Sequence, residues 1–454
     1  MNDVKAFSQR VFECVPGYRR FLATRAASIE GPFAELPLQT KQNYLLEYPM
    51  EELCWNGSLG NCHLIGSSSG FSKSGSVFWP KRPEDEKQYL EALEQMLVQN
   101  YGIDRDRTLI ICCMALGTWF GGMTITAALR VIAAGGRLPI TICTPGLNLA
   151  EAVEIYSRFQ TNFTKVLWIT NPSNISLITS LIARKGINVP PGSCYFPVVG
   201  EYFSETFRES VAGRYGHAAR EPFVVWTGYG SADTGDIAVE TAATIRLRKF
   251  FHKNQELRRQ LFGSDDTPML LALAPKAHVE ILDGRIVVTK DQLVPLVRYN
   301  TGDEGGILEK EELGRGGTVP DDILNELPER ILFVRGRASN SIIFYGTNLN
   351  VQEINQHFLE LPRDMSYSGL YTVRKVEQGD VTLFEFTVFV ESLGDGALAE
   401  RYHASLLGYL KGRSLEFEAK YSNLTRSLGE ELIRVAVEEL AGSTGAIKHR
   451  FIID

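Results

Sequence analysis

A run of serines and glycines with a single lysine spans residues 67–75 and is the first segment whose residue types could bind an anion. Small residues let consecutive backbone N–H groups point at one phosphate, serine hydroxyls add further donors, and Lys73 adds a positive charge. The spacing differs from the G-x-x-x-x-G-K-[ST] pattern of a P-loop. Two interpretations therefore stay open for this segment taken alone: a phosphate-binding loop, or a flexible polar loop.

Two further segments combine an apolar run with a carboxylate. Residues 229–233, Tyr-Gly-Ser-Ala-Asp, follow the apolar residues 223–226, so a strand end would present a ring that can stack on a base and a carboxylate that can hold Mg2+. Asp303 follows another strand-like run and could accept both hydroxyls of a ribose. The structural alternatives are a helix N-cap at Asp233 and an ordinary Thr-Gly-Asp turn at Asp303.

Strand-like and helix-like runs alternate through the middle of the chain. Residues 108–113, 166–170 and 194–200 have the apolar character of buried strands, and helical patterns lie between them. This alternation predicts an α/β fold with largely parallel sheet, whose ligands bind beyond the carboxyl ends of the strands. From about residue 268 shorter alternating runs, with an Asp-Gly turn at 283–284, predict an antiparallel element or small barrel.

A second change of pattern lies near residue 338. Beyond it come two strand-like and then two helix-like runs, at 370–373, 383–390, 396–410 and 427–440. These predict a compact α+β unit. We therefore expect an N-terminal domain of residues 1–338 and a small C-terminal domain of residues 339–454.

Composition limits the class of protein. The chain has 454 residues and a net charge of -7, which disfavours binding to nucleic acid or to an anionic membrane surface. Seven cysteines and the lack of a signal-peptide pattern favour a reducing cytoplasm, and no C-x2-C pair indicates a zinc site. The uncharged stretch between Arg107 and Arg130 is long enough to cross a bilayer, but its glycines and threonines predict a strand, a turn and a buried helix instead.

Four ordered segments resemble the core motifs of adenylate-forming enzymes, the superfamily of acyl-CoA synthetases, luciferases and adenylation domains. They are residues 68–73, 229–233, 298–303 and 336–346, the last followed by Glu353. Residues 115–122, 133–136 and 199–205 resemble the phenylacetate-CoA ligase-like branch. The resemblance extends over about residues 65–454.

The resemblance implies a large N-terminal α/β domain, with mostly parallel sheets and a small antiparallel or barrel element, that binds ATP and an acid. It also implies a small mobile C-terminal α+β domain that acts as a lid. The implied reaction uses ATP and Mg2+ to activate a small carboxylic acid as an acyl adenylate, with release of pyrophosphate. The acyl group then passes to coenzyme A as a thioester, after a rotation about residues 337–341.

The resemblance also assigns residues to roles. It assigns phosphate contacts to Ser68, Ser69, Gly70, Ser72 and Lys73, and further nucleotide contacts to Glu201, Tyr229, Gly230, Ser231, Asp303 and Arg337. It assigns the acyl pocket to Trp119, Phe120, Gly121, Trp226 and Gly228. The implied catalytic residues are Lys448, Asp233 and Lys73, of which Asp233 also binds the metal. The aromatic rings of the pocket favour an aromatic or other cyclic acid.

The sequence departs from the family pattern at the positions that carry charge. Lys73 lies one place early in the phosphate loop, and the metal-binding position has Asp233 where a glutamate is usual. The hinge has Ser339 and Asn340 in place of an acidic residue. For Lys448 the alternative is a plain basic C-terminal strand.

Several functional alternatives stay open at this stage. The acyl group could pass to an amine or to a carrier-protein thiol in a biosynthetic pathway, and a non-catalytic nucleotide-binding relative is the alternative outside this chemistry. The resemblance also favours a homodimer.

Overall fold

The computed structural model describes residues 3–67, 77–263, 267–315, 318–337, 341–378, 381–390, 392–393, 396–439 and 452. Its helices are α1 (Val4–Cys14), α2 (Pro16–Ala23), α3 (Met50–Leu53), α4 (Pro83–Tyr101), α5 (Phe120–Ala134), α6 (Leu149–Phe159), α7 (Pro172–Arg184), α8 (Glu205–Arg214), α9 (Ala242–Lys253), α10 (Gln255–Phe262), α11 (Lys310–Arg315), α12 (Asp321–Leu324), α13 (Val351–Leu359), α14 (Leu398–Arg413) and α15 (Leu415–Leu428).

Its strands are β1 (Leu64–Ser67), β2 (Phe78–Lys81), β3 (Thr108–Cys112), β4 (Ile140–Cys143), β5 (Lys165–Ile169), β6 (Cys194–Val198), β7 (Val225–Ser231), β8 (Gly235–Val239), β9 (Met269–Leu273), β10 (Ala277–Leu282), β11 (Arg285–Lys290), β12 (Leu296–Glu309), β13 (Arg330–Arg337), β14 (Ser341–Phe344), β15 (Thr347–Asn350), β16 (Tyr367–Gln378), β17 (Val381–Val390) and β18 (Ile433–Glu439).

One large sheet organises the described part of the chain from residue 108 to residue 337. Its strand order is β10-β11-β12-β13-β9-β8-β7-β6-β5-β3-β4. The five strands from β4 to β7 run parallel, as the alternation of strands and helices predicts. The α/β fold class is therefore confirmed.

The antiparallel half of this sheet is larger than the sequence predicts. It begins at the β7–β8 hairpin and continues through β9, β13, β12 and β11 to β10. The Asp-Gly turn lies between β10 and β11 as predicted, with both residues at positive φ (50° and 73°). The pairing of β13 with β9 joins strands β10 to β13 to the rest of the large sheet. These two strands lie far apart in the chain, so their pairing leaves no local pattern in the sequence.

The uncharged stretch folds as a buried strand, a turn and a helix, as predicted. It forms β3 and α5, and Gly122 lets the start of α5 approach the end of β3, because a Cβ there would lie 1.8 Å from the Ala115 carbonyl oxygen. Across the described residues, none of the helices has both the length and the apolar composition of a membrane span.

From residue 341 onward, the described residues form the hairpin β14–β15, a three-stranded sheet and the helices α13, α14 and α15. In that sheet β17 pairs antiparallel with β16 and parallel with β18. The predicted helix at 427–440 is wrong, because α15 ends at Leu428 with Gly429 in the left-handed region, and Ile433–Glu439 is a strand. Ile433, Val435 and Val437 recur at every second position, which is the period of a strand.

The C-terminal part packs against the parallel half of the large sheet. Leu149 and Ile178 of the α/β layer share one buried cluster with Phe344 and Leu424. At the tip of β14–β15, Gly346 has φ +85° and lies so close to Asn171 that a Cβ would meet its Nδ2 at 2.6 Å. The hairpin tip therefore lies beside the segment that follows β5. The predicted domain boundary at residue 338 lies outside the described residues.

Candidate functional site

Strands β7 and β12 bring two of the sequence motifs into direct contact. The hydroxyl of Tyr229 donates to Oδ2 of Asp303 at 2.6 Å, and it also lies 3.4 Å from Oγ1 of Thr301. The Asp303 backbone N–H in turn donates to Oγ1 of Thr301 at 3.2 Å. Both residues are half-buried, so the aromatic ring and the carboxylate are fixed relative to each other while part of each stays accessible.

The backbone also places Arg337 beside this pair. In the antiparallel pairing of β12 with β13, Asp303 and Arg337 are directly opposite each other. These two positions, to which the resemblance assigns nucleotide contacts, therefore come from neighbouring strands, although 34 positions separate them in the sequence.

Asp233 lies in the tight turn between β7 and β8. The hydroxyls of Ser231 and Tyr299 donate to its Oδ1 and Oδ2, and Nε2 of Gln292 donates to its backbone oxygen at 2.6 Å. These contacts fix the orientation of the carboxylate. The alternative that Asp233 is a helix N-cap is wrong, because β8 follows it and Thr241 caps the next helix, α9.

Gly230 is required by the geometry of the same hairpin. It lies opposite Asp236, and a Cβ at Gly230 would lie 2.4 Å from the carbonyl oxygen of Gly235. Only glycine allows the two strands to approach this closely.

Asp233 could be one of the ligands of a magnesium ion that binds together with a nucleotide. Within the described ranges, no group of three or more His, Cys, Asp or Glu side chains could hold a metal ion. Mg2+ is commonly bound through one or two carboxylates together with substrate phosphates and water. Asp233 supplies one oriented carboxylate, which suits that mode of binding and not a cage made by the protein alone.

The start of the candidate phosphate loop is fixed beside α5. The Ser67 N–H donates to the Thr118 carbonyl oxygen at 2.7 Å, and the two side-chain hydroxyls are 3.1 Å apart. The phosphate-binding residues named above (Ser68, Ser69, Gly70, Ser72 and Lys73) lie outside the described residues, as does Lys448. What the structure does give is the position from which the loop departs, next to Trp119 at the start of α5.

The acyl-pocket residues separate into two groups. Trp119 and Phe120 are half-buried at the start of α5, Gly121 is exposed, and the Phe120 ring packs so closely on Gly66 that a Cβ there would lie 2.5 Å from it. Trp226 is only 7% exposed and its indole N–H donates to the Glu240 carbonyl oxygen at 2.9 Å. Trp226 is thus a core side chain that borders the site at one edge.

Gly228 leaves space next to that edge. A Cβ at Gly228 would lie 3.8 Å from the Trp226 ring and 3.6 Å from the Ala238 carbonyl oxygen.

Glu201 is held at the start of α7, where its carboxylate accepts hydrogen bonds from the Ser173 N–H at 3.1 Å and from the Ser173 hydroxyl at 2.8 Å. A carboxylate at a helix N-terminus is stabilised by the helix dipole, so this contact fixes Glu201 at the carboxyl edge of the parallel sheet.

A buried ionic cluster of Glu205, Arg208, Glu240 and Arg248 contacts β7. Arg208 contacts Glu240 at 2.5 Å and Glu205 at 3.1 Å, and Arg248 contacts Glu205 at 3.1 Å, with all four side chains at most 1% exposed. Glu240 also accepts a bond from the Thr227 N–H at 3.1 Å. This cluster therefore holds the strand two residues before Tyr229.

The N-terminal segment supports the other side through Arg298. This residue has φ +51°, is only 4% exposed, and its guanidinium donates to the backbone oxygens of Ala34 and Leu36. The neighbouring residue on β12 is Tyr299, the donor to Asp233. The sequence motif contains both residues, but nothing in it indicates that the arginine turns away from the site and anchors the N-terminal segment.

Sequence reasoning missed a charged cleft beside the site. It contains Lys81 at the end of β2, Asp236 on β8 and Lys290 at the end of β11. None of the three belongs to a recognisable motif. Their proximity results from the pairing of distant elements, so only the folded chain reveals it.

No protein-family model matches the sequence, and no curated protein sequence matches it either. The solved structures do show the fold. It is the fold of a CoA ligase, which agrees with the fold that the resemblance implies. The phenylacetate-CoA ligase-like branch stays a prediction.

One structure with this fold is 2-hydroxyisobutyryl-CoA ligase in complex with 2-HIB-AMP and CoA in the thioesterification state. It has a TM-score of 0.62 and 14% identity, over 99% of this chain and 88% of that chain. The same ligase in an open conformation with 2-HIB-AMP and CoA has a TM-score of 0.52 and 13% identity, over 99% of this chain and 90% of that chain. Its postadenylation state with 2-HIB-AMP has a TM-score of 0.52 at 13% identity, over 99% and 88% of the two chains.

Proposed function

We propose that the protein is an ATP-dependent adenylate-forming ligase. It activates a small aromatic or other cyclic carboxylic acid as an acyl adenylate, releases pyrophosphate and transfers the acyl group to coenzyme A. The observation that carries the proposal is the hydrogen bond between Tyr229 and Asp303, which brings two separate nucleotide-binding motifs together on a fold shared with such a ligase.

The chemistry requires positioning and charge compensation more than an acid–base pair. An oxygen of the substrate carboxylate attacks the α-phosphorus of ATP, the bond from that phosphorus to the β-phosphate oxygen breaks, and pyrophosphate leaves. The thiol sulfur then attacks the acyl carbon, loses its proton to solvent, and AMP leaves with the electrons of the acyl–oxygen bond. Oriented cations and donors accelerate such in-line transfer by stabilising charge on the phosphate oxygens.

In this proposal the described residues bind and orient the nucleotide. Tyr229 flanks the adenine together with Glu201, and Asp303 holds the ribose with Arg337. Asp233, fixed by Ser231 and Tyr299, would hold Mg2+, whose charge offsets that of the phosphates. Lys73 and the neighbouring loop residues would bind phosphates, and Lys448 would approach the carboxylate and the α-phosphate during adenylation.

Coenzyme A is the acceptor that the structure supports best. A solved structure that shares the fold, at a TM-score of 0.62, is a CoA ligase in complex with 2-HIB-AMP and CoA. In this chain the hairpin tip at Gly346 lies against Asn171, at the carboxyl edge of the parallel sheet. A C-terminal lid in that position would narrow the route by which a thiol reaches the acyl group. Transfer to an amine or to a carrier protein is the alternative.

We further propose a cytoplasmic homodimer whose partners are small molecules. All seven cysteines are free thiols, which supports a reducing compartment. Light scattering would determine the oligomeric state.

Carboxylate-dependent exchange of pyrophosphate into ATP tests the function directly. We expect exchange with at least one member of a panel of aromatic and cyclic acids, and a large loss of exchange in Lys448→Ala. Lys87→Ala is the matched control, because Lys87 is 77% exposed on α4. ATP binding without exchange for any acid would instead favour a non-catalytic nucleotide-binding protein. Consumption of coenzyme A with the best acid then identifies the acceptor.

A further inference from the structure

Two lysine ammonium groups meet in a cleft beside the candidate acyl pocket. A Cβ built on Gly235 would lie 3.1 Å from Nζ of Lys290 and 3.9 Å from Nζ of Lys81, so both ammonium groups face the same point on the β7–β8 hairpin. Nζ of Lys81 also lies 5.1 Å from the centroid of the Phe120 ring. This ring belongs to the predicted acyl pocket, so the lysine pair and the pocket adjoin.

The Lys81 ammonium has no hydrogen-bonded partner in the described structure, although Asp85, Asp236 and Asp233 attract it from farther away. Among the described residues, none accepts a hydrogen bond from its Nζ or forms an ion pair with it, and its recorded contact is the face of Phe120. Lys290 donates to the backbone oxygen of Asp236. Because an ammonium group removed from water is costly without an acceptor, such a pair favours an anionic ligand.

The other charged groups around the cleft are largely engaged with each other. Arg82 pairs with Asp85 at 2.9 Å and with Asp291 at 3.1 Å, and the N–H of Leu293 also donates to Asp85. The carboxylate of Asp233 accepts two hydroxyl hydrogen bonds from its own neighbourhood.

Like Asp85, Asp236 is an acidic group whose charge acts on both lysines. Its side chain is accessible to water, yet the protein packed around it raises the pKa of its carboxyl group by desolvation, against the attraction of Lys290 and Lys81. Asp85 and Asp233 also attract the Lys81 ammonium, but Asp85 is bound to Arg82, and Asp233 accepts the hydroxyl hydrogen bonds of Ser231 and Tyr299.

We propose that Lys81 and Lys290 form a subsite for a second carboxylate on the acyl substrate, so that the preferred acid is a dicarboxylic acid. This inference rests on the proposed function and narrows its substrate class. The ring of Phe120 would contact the apolar middle of the acid, and the lysine pair would bind the carboxylate at the far end.

The phosphates of ATP are the other source of a negative charge near this cleft. The two sources are distinguishable, because a dicarboxylic acid and its monocarboxylic counterpart differ only in the second carboxylate. A suitable aromatic pair is 4-carboxyphenylacetate and phenylacetate, and an aliphatic pair is glutarate and butyrate.

Isothermal titration calorimetry of each acid, without ATP, tests the subsite independently of turnover. We expect the dicarboxylic member of at least one pair to bind about tenfold or more tightly than its counterpart, since a hydrogen bond to a charged group contributes on this scale. In Lys81→Met and Lys290→Met this ratio should fall close to one, while Lys87→Met should keep it. Thermal unfolding of each variant checks that it is folded.

Equal binding of the two members of both pairs by the wild-type protein would overturn the inference, as would absence of acid binding. It would also be overturned if Lys81→Met weakened ATP binding and left the ratio of acid affinities unchanged. A clear preference for the dicarboxylic acid without any pyrophosphate exchange would support the subsite and reject the ligase function, so the two proposals fail separately.

Discussion

The hydroxyl of Tyr229 lies 2.6 Å from Oδ2 of Asp303, and this contact joins the last residues of β7 to the middle of β12. In the sheet, β8, β9 and β13 lie between β7 and β12, and β7 is the strand at which the parallel strands meet the antiparallel ones. A ligand that stacks on the ring of Tyr229 and donates to Asp303 would therefore lie over the start of the antiparallel half.

Removal of that hydroxyl should weaken the binding of ATP. In Tyr229→Phe the ring stays but the carboxylate of Asp303 loses a donor, so its orientation toward a ribose is less restricted. We expect the KM for ATP in pyrophosphate exchange to rise by about tenfold, with a smaller change in kcat. Tyr402→Phe removes a buried hydroxyl that donates to the Met365 backbone oxygen at 2.8 Å, far from the motifs, and should leave the KM for ATP unaltered. A Tyr229→Phe enzyme with the wild-type KM for ATP would contradict the role assigned to this contact.

Orientation of Asp233 by Tyr299 should determine how much magnesium the reaction needs. Tyr299→Phe removes the donor to Oδ2 and leaves the donor from Ser231, whereas Asp233→Asn removes the charge itself. We expect the Mg2+ concentration for half-maximal exchange to rise several-fold in Tyr299→Phe and at least about tenfold in Asp233→Asn, since outer contacts of a ligating group commonly contribute 10–100-fold to metal affinity. The measurement is a titration of Mg2+ at saturating ATP. A larger effect of Tyr299→Phe than of Asp233→Asn would contradict the proposal that Asp233 binds the metal and that Tyr299 orients Asp233.

The buried ionic cluster should contribute strongly to stability. Glu240→Gln leaves Arg208 and Arg248 with less negative charge at a site that is at most 1% exposed, and it weakens the contact with the Thr227 N–H. Breaking a buried pair by removing one partner costs about 3–5 kcal/mol, because the remaining charge is left uncompensated. Urea unfolding monitored by circular dichroism measures this change in the free energy of unfolding.

An exposed ion pair provides the control for that experiment. Glu154 contacts Lys185 at 2.7 Å on the surface, so Glu154→Gln should have little effect on the free energy of unfolding. Equal effects of the two substitutions would show that the cluster does not depend on Glu240.

Local patterns in the sequence predicted the elements that local physics determines. The strand at Thr108–Cys112, the helix that begins at Pro83 and the Asp-Gly turn at 283–284 are all observed. The prediction at Ile433–Glu439 is wrong because the local pattern there is weak: Ala436 interrupts the alternation of apolar and polar residues, and the parallel pairing with the distant β17 determines the structure.

Residues of the candidate site could be predicted from the sequence only where they belong to a recognisable motif. Tyr229, Asp233 and Asp303 could be named from their segments, and the structure brings them together as strands of one sheet. Lys81 and Lys290 could not be named, because each is an ordinary lysine at a strand end in the sequence. Their relation arises from the packing of β2 and β11 against the β7–β8 hairpin, which is a property of tertiary structure.

The lysine pair also predicts how acid binding depends on pH. Desolvation lowers the pKa of the Lys290 ammonium to about 8; Asp236 and Asp85 oppose this shift, and Lys81 adds to it. The protonated form binds an anion, so affinity for a dicarboxylic acid should be highest below about pH 7 and fall as the pH rises through 8. Between pH 7 and 9 we expect the affinity to fall by up to about tenfold, which is the change in the protonated fraction of one group with this pKa.

Titrations of a dicarboxylic acid and of its monocarboxylic counterpart across this pH range measure the fall in affinity. The monocarboxylic acid should show a much smaller dependence, and Lys290→Met should abolish the fall for the dicarboxylic acid. Affinity that rises with pH, or a fall that persists in Lys290→Met, would rule out this ammonium group as the origin of the effect.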